Sequence, residues 1–469
     1  MQNTINTDTG ARRGFWNFID NIKGDKVVWI IVFMLVITSV LTVFSSTSLL
    51  AMGDDTDRLE IFKEQVITVT MGLGLIWLMC RIKKIWIFRV FSQLGFIVSA
   101  FLLLLLITKI NLPFCRAIVT NGVLRALSVF GLQVHVFECV KVAMVMYLAW
   151  AVDAYKADQE AIAAGKKSPT FGIINALSKK EKLGFLMKPF WKRMFYFYLP
   201  VMITCLMIIP GSNSSAIFVG GILIATLLVG GIPLREIFIA AGACFAALLL
   251  IVGIHKASNG NMFKRVGTML SRLEADYDPS RLDSCKEKSK EFYDILGETV
   301  QPFGAKVAIH EGGLLGKGSG NSTQKYIVPI MYGDYMFSFI IEEYGIWGAF
   351  IIIALYVSLL ARGSMIARLC DNEFAKVAVG GLSLLITGQA FMHMFVNVDI
   401  GPMTGQTLPL ISHGSSAFLM FSIAFGVILS ISRMTREKIK EEEETAEPIY
   451  ERSNDEIRAT LEDIEQLES

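Results

Sequence analysis

The chain has 469 residues, of which 53% are hydrophobic and 18% charged, with a formal net charge of +2. A soluble protein carries about a quarter charged residues, so a purely soluble multidomain protein is disfavoured, and the small net charge gives no reason to expect nucleic-acid binding. The seven cysteines (Cys80, Cys115, Cys139, Cys205, Cys244, Cys285 and Cys370) form no CxxC pair and sit mostly in apolar text, as small buried hydrophobes do; a Cys115–Cys285 disulfide has nothing beyond a shared outward side to support it.

Residues 1–26 are polar and read as a cytoplasmic N-terminal segment. The first apolar block, 27–52, is too long for the hydrophobic region of a signal peptide and reads as a retained helix. Further candidate spans fall at 62–80, 85–108, 136–152, 194–210, 214–232, 235–254, 335–361, 373–396 and 409–432. The fold class this predicts is all-α: a polytopic membrane protein of about ten helices occupying 27–432, followed by a charged cytoplasmic tail, 433–469.

Charge orients the spans. With the N-terminus inside, Arg12, Arg13, Lys23, Lys26, Arg81, Lys83, Lys84, the basic stretch 153–193, Arg235, Arg362, Arg368, Arg433 and Arg436 all fall on the cytoplasmic side. Asp54, Asp55, Asp57 and Asp399 fall outside. This obeys the positive-inside rule and puts both termini in the cytoplasm. The long loop between the seventh and eighth spans, 255–334, is then extracytoplasmic despite its Lys and Arg, as long translocated loops can be. Its first half has Phe263, Val266, Met269, Leu270 and Leu273 at helical spacing and reads as an interfacial amphipathic helix.

Three segments carry chemistry-bearing residues. Asn121, Gly122, Arg125, Gln133, Glu138 and Lys141 precede and enter the fourth span, where Glu138 and Lys141 share a helix face. The second half of the long loop holds Gly312, Gly313, Gly316, Lys317, Gly318, Gly320, Ser322, Gln324 and Lys325. It lacks the GxxxxGK[ST] spacing of a phosphate-binding loop and predicts flexible turns able to approach a ligand closely. Asp334 then opens the eighth span, either as a cap on its N-terminal dipole or as a functional acid. Glu342 and Glu343 lie two turns further on, costly in a span unless paired or functional. The third segment, Pro402 to Ser416, is rich in Pro, Gly, Ser and Thr, which at membrane depth is tolerated where backbone lines a cavity or packs inside protein.

Together the three segments resemble the SEDS family (shape, elongation, division and sporulation) over about 27–435, through Asn121 to Lys141, Gly312 to Gly348 and Pro402 to Ser416. Departures are Ala126 for a Trp, Leu410 for a Phe, His413 for a Tyr and Ser415 for a Gly. The resemblance implies a peptidoglycan glycosyltransferase that polymerises lipid II on the outer face of the bacterial inner membrane. It also implies a class B penicillin-binding protein as partner, with other divisome proteins. By motif position Asp334 is the catalytic residue. Arg125, Lys141, Lys317 and Lys325 are candidate pyrophosphate ligands, Ser412 and Ser416 further candidate substrate contacts, and Glu138, Glu342 and Glu343 are expected to form a structural polar network. A divalent cation, Mg or Mn, is an expected helper for a pyrophosphate leaving group, with no ligand set assigned. Pro210-Gly-Ser-Asn-Ser-Ser-Ala lacks the Asp of elongation-type members and leans to the division type. The rival readings are an elongation-type polymerase and a lipid II flippase; no inverted repeat of the kind many transporters use is visible.

Overall fold

A computed structural model describes residues 24–47, 58–108, 115–120, 123–129, 132–166, 184, 188–258, 290–328, 331–401 and 404–468. The amphipathic stretch 263–273, Cys244's side chain and Cys285 lie outside the described residues, while Cys80, Cys139, Cys205 and Cys370 are free thiols.

The helices are α1 (Lys26–Ser46), α2 (Arg58–Cys80), α3 (Ile85–Thr108), α4 (Val136–Ala163), α5 (Pro189–Arg193), α6 (Leu199–Ile208), α7 (Asn213–Val229), α8 (Leu234–Ala257), α9 (Lys290–Gly312), α10 (Met336–Leu369), α11 (Glu373–Asn397) and α12 (Ser415–Glu468). A π-helical turn, Met194–Tyr198, joins α5 to α6. Each predicted span coincides with helix, although the last begins only at Ser415 and the fourth runs eleven residues further, to Ala163 rather than 152. α12 passes through residue 432 without a break, so membrane part and charged tail share one helix.

Among the described residues, Lys26–Ser46, Ile85–Thr108, Met336–Leu369, Glu373–Asn397 and Ser415–Glu443 are long and apolar enough to cross a bilayer. The solvent for these helices is legible in their surfaces. α1 buries Val28, Ile31, Val32, Leu35, Val36, Ser39 and Val43, a stripe at helical spacing. Its opposite face exposes Ile30, Phe33, Met34, Ile37 and Leu41. A helix apolar on every face but buried on one is built to meet lipid. α11 and the first half of α12 are enclosed instead, with Phe374, Val377, Leu382, Ile386, Phe421, Phe425 and Ile428 all buried.

The all-α expectation needs correction. Residues 115–135 form a three-stranded antiparallel meander, β1 (Cys115–Thr120), β2 (Val123–Val129) and β3 (Leu132–His135), with Arg116 opposite Ser128 and Leu127 opposite Val134. The cause is local: the β-branched residues Ile118, Val119, Thr120, Val123 and Val129 favour strands, and they flank Asn121-Gly122, a dipeptide that favours tight hairpins. β3 runs directly into α4, with His135 as its cap residue.

At the end of α1 where the chain enters, Asp25 caps the helix, accepting from Val27 N at 3.0 Å and Val28 N at 3.2 Å. The same carboxylate pairs at 2.7 Å with Arg362 of α10 and at 2.7 Å with Arg436 of α12, gathering three helices. Burial pushes its pKa up, but Arg362, the Val28 amide and Arg436 outweigh this and hold it below the usual carboxylate value. A depressed carboxylate stabilises the fold above its unfolded pKa of about 4, and that contribution is lost as pH falls below this. Asp25→Asn keeps a capping side chain but removes the charge. We expect it to lower stability by roughly 1–2 kcal/mol at neutral pH and to flatten the decline of the thermal midpoint below about pH 4 that wild type shows.

Candidate functional site

The short turn 331–335 carries Asp334, half-buried, into α10. Three consecutive carbonyls of this turn are held by groups from elsewhere. His413 N donates to Tyr332 O at 3.0 Å, Ser412 Oγ to Gly333 O at 2.8 Å, and Asn397 Nδ2 to Asp334 O at 3.1 Å. Asp334 does not fill the capping role considered for it. The cap residue of α10 is Tyr335; the amide of Phe337 donates to His393 Nε2 at 3.3 Å and that of Ser338 to Asn397 Oδ1 at 2.9 Å. Two of the orphan donors of this helix end are therefore satisfied by α11.

The stretch 404–414 is non-helical, and side chains of three helices complete its backbone. Ser39 of α1 donates to Ile411 O at 2.9 Å, Tyr356 of α10 to Pro409 O at 2.5 Å, and Gln389 and His393 of α11 to Thr407 O at 3.0 Å and Gln406 O at 2.7 Å. Ser39 lies seven residues before the far end of α1, ~10 Å along a helix at 1.5 Å per residue. Irregular backbone at that depth is viable because it is enclosed and paired. Ser416 Oγ accepts from His135 N at 3.3 Å, tying the sheet to the start of α12.

The glycine-rich segment is not a loose lid. α10 is broken at Gly345, which has φ 71° and ψ −170°. The segment 312–328 packs into the break: Lys317 N donates to Glu342 O at 2.9 Å, Gly318 N to Glu343 O at 3.0 Å and Ile346 N to Gly313 O at 3.0 Å. Backbones touch, so a Cβ at Gly316 would stand 2.3 Å from Glu343 O and one at Gly345 2.3 Å from Leu314 O. Side chains lock the same contact. Glu342, fully buried, accepts from Thr323 N at 2.7 Å, Ser322 Oγ at 2.5 Å and Lys317 Nζ at 3.0 Å. Glu343 accepts from Ser45 Oγ of α1 at 2.5 Å and Gly320 N at 2.9 Å.

The cations proposed for a pyrophosphate are differently placed. Lys141 is 1% exposed, and its ammonium donates to Glu138 at 2.6 Å, to Gln406 at 3.0 Å and to Gln389. An ammonium has three protons, so this arrangement leaves none for a substrate. Lys325 Nζ donates to Gly320 O at 2.8 Å inside the glycine segment. Lys317 bonds Glu311, Glu342 and Thr323 and stays partly exposed. Burial pushes the Lys317 ammonium down, yet its bonds to Glu311 and Glu342 hold it above its ordinary value, while Lys317 and Thr323 hold Glu311 low. Arg125 lies on β2, and its side chain is outside the described residues.

Three residues of this site escaped the sequence reading: Gln389, His393 and Asn397. Their spacing of four in an apolar helix is the signal, a polar stripe on one face of α11. The pairing of Lys306 with Asp399, just past the C-terminal end of α11, was also missed. As for a metal, no group of three or more His, Cys, Asp or Glu able to hold an ion occurs among the described residues.

Gly345→Ala should open the loop-to-helix contact, because alanine disfavours this φ by about 1–2 kcal/mol and its Cβ meets Leu314 O. The expected result is a lower thermal midpoint and new tryptic cleavage after Lys317 and Lys325, sites that resist the protease in wild type.

Comparison with known proteins agrees with this architecture. The chain is 26% identical over 431 residues to the probable peptidoglycan glycosyltransferase FtsW of Enterococcus hirae, covering 90% of this chain and 96% of that one. To the peptidoglycan glycosyltransferase MrdB of Escherichia coli it is 38% identical over 144 residues, 29% of this chain and 38% of that one. In structure it resembles the rod shape determining protein RodA of Thermus thermophilus, with TM-score 0.50, 19% identity and coverage of 88% and 98%. It also resembles a chain from a peptidoglycan synthase complex that coordinates polymerization and crosslinking, with TM-score 0.57, 19% identity and coverage of 87% and 98%. The family model described as cell cycle protein, covering FtsW, RodA and SpoVE, matches residues 25–437, so this multi-pass membrane protein belongs to that family, the SEDS proteins.

Proposed function

We propose that the protein is a peptidoglycan glycosyltransferase that polymerises lipid II into glycan strands for septal synthesis, with Asp334 as general base. The observation that carries this reading is the Asp334 turn: the helix end behind it is capped by other residues, and its backbone is pinned at three successive carbonyls. Relatives along nearly the whole chain bear the name peptidoglycan glycosyltransferase FtsW, which supports both the reaction and the division role.

The chemistry is one displacement. A sugar hydroxyl of one lipid II attacks the anomeric carbon of another and the polyprenyl pyrophosphate leaves. Asp334 takes the hydroxyl proton. Inversion from an α-linked donor to a β-linked product needs no covalent nucleophile, consistent with the lack of a Ser/His/Asp set in the motifs. The leaving pyrophosphate needs positive charge. Lys317 is partly exposed and held in its charged form, but its three protons are engaged by Glu311, Glu342 and Thr323, so it, like Lys141, must exchange a partner to meet the leaving group; Arg125 and Lys325 complete the proposed set. Ser412, bonded to Gly333 O, and Ser416, bonded to His135 N, act through the turn and the sheet rather than as direct sugar ligands. Glu138, Glu342 and Glu343 serve as the polar frame.

We place the protein in the bacterial inner membrane with ten spans, both termini cytoplasmic and 255–334 on the outer side, from the charge distribution of its loops. A class B penicillin-binding protein is the proposed partner, supported by the resemblance to a chain of a synthase complex that both polymerises and crosslinks; other divisome proteins join it.

Purified protein with its transpeptidase should polymerise lipid II, and Asp334→Asn should lower turnover by at least about 100-fold. Normal polymerisation by the variant would refute Asp334 as base. If wild type makes no glycan but moves lipid II across liposomes, the protein is a flippase.

A further inference from the structure

Asn397 is the last residue of α11, and its side chain is fully committed. Oδ1 accepts from Ser338 N at 2.9 Å and from Ser338 Oγ at 2.9 Å. Nδ2 donates to His393 O at 2.8 Å and to Asp334 O at 3.1 Å. Two donors meet two carbonyls and the oxygen meets two donors, so the amide has one admissible orientation; turning it over would set N–H against N–H at Ser338 and oxygen against oxygen at both carbonyls. The side chain is 1% exposed, so water cannot replace a lost partner without opening the packing.

One turn earlier on the same face, His393 repeats the device. Nδ1–H donates to Gln406 O and Nε2 accepts from Phe337 N, a pair of bonds that requires the neutral Nδ1–H tautomer. One turn earlier again, Gln389 accepts from Lys141 and donates to Thr407 O. Successive turns of α11 therefore fix the first turn of α10 and the 404–414 stretch together. Asn397 bridges the first turn of α10 to the carbonyl of Asp334 itself.

We propose that Asn397 is the positioning residue of Asp334: its carboxamide sets the peptide plane that follows Asp334 and thereby the direction in which the Asp334 carboxyl is presented. This rests on Asp334 being the base. Asn397 touches no substrate. Its effect is on the geometry of proton removal, so removing it lowers turnover and leaves lipid II binding nearly unchanged.

Asn397→Asp is close to isosteric. It keeps acceptors for Ser338 and replaces the donor to Asp334 O with a repelling oxygen. Asn397→Ser removes the donor without adding charge. Full-length protein with its transpeptidase is assayed on lipid II for kcat and KM, alongside thermal unfolding and Asp334→Asn. The expected result in either variant that folds is a turnover loss of about 10- to 100-fold with KM within about twofold, measured below an unfolding midpoint that itself drops because buried carbonyls lose their donor. Wild-type turnover in either folded variant, with Asp334→Asn inactive, overturns the positioning role and leaves the base assignment standing. A loss in which turnover falls and KM rises well beyond twofold in both variants also overturns it, since Asn397 then holds the whole site rather than orienting Asp334. Full activity of Asp334→Asn removes the base assignment and this inference with it.

Discussion

A backbone carbonyl that leaves a helix inside a bilayer must find a donor within the protein, because no water is there to supply one. This chain breaks helical pairing at 331–335, at Gly345 and through 404–414, and each break is closed by groups from other elements. The consequence for the site is rigidity. Each unsatisfied group would cost several kcal/mol, so the turn that carries Asp334 is held by the same bonds that make it tolerable. Precision at the acid follows from a constraint on solvation, with no separate device needed to supply it.

The same requirement explains the glycine segment. A sequence with so many glycines reads as mobile, yet here glycine removes side chains from a contact between two backbones. Lys317 N and Gly318 N reach the carbonyls at the end of the first half of α10, and Gly345 lets the helix turn aside to receive them. Glu342 and Glu343 then serve as acceptors for amides and hydroxyls of that segment and for Ser45 of α1. Acids inside a membrane protein need not be reactive; these two join a loop, a broken helix and α1.

Much of the architecture was legible in the sequence because length and apolar content report on helices in lipid directly. Helix positions, the Glu138–Lys141 pair and the largely enclosed character of 404–416 could all be read from spacing and composition. The meander was not legible because 115–135 lacks the strict alternation of a half-buried strand, and its pairing depends on cross-strand partners such as Arg116 and Ser128. The roles of Lys141 and Lys325 were not legible, since a lysine's partners depend on which glutamines and carbonyls the fold brings to it. Gln389, His393 and Asn397 were visible as a stripe, but their meaning needed the facing end of α10.

These relations converge on one claim: Asp334, set on a pinned turn, removes the proton from the attacking sugar hydroxyl. The pH dependence of lipid II polymerisation tests it most directly. Wild-type turnover should show an acid limb, falling tenfold per pH unit below the pKa of one carboxylate, and the residual turnover of Asp334→Asn should lack that limb. The same acid limb persisting in the Asn variant would contradict the account.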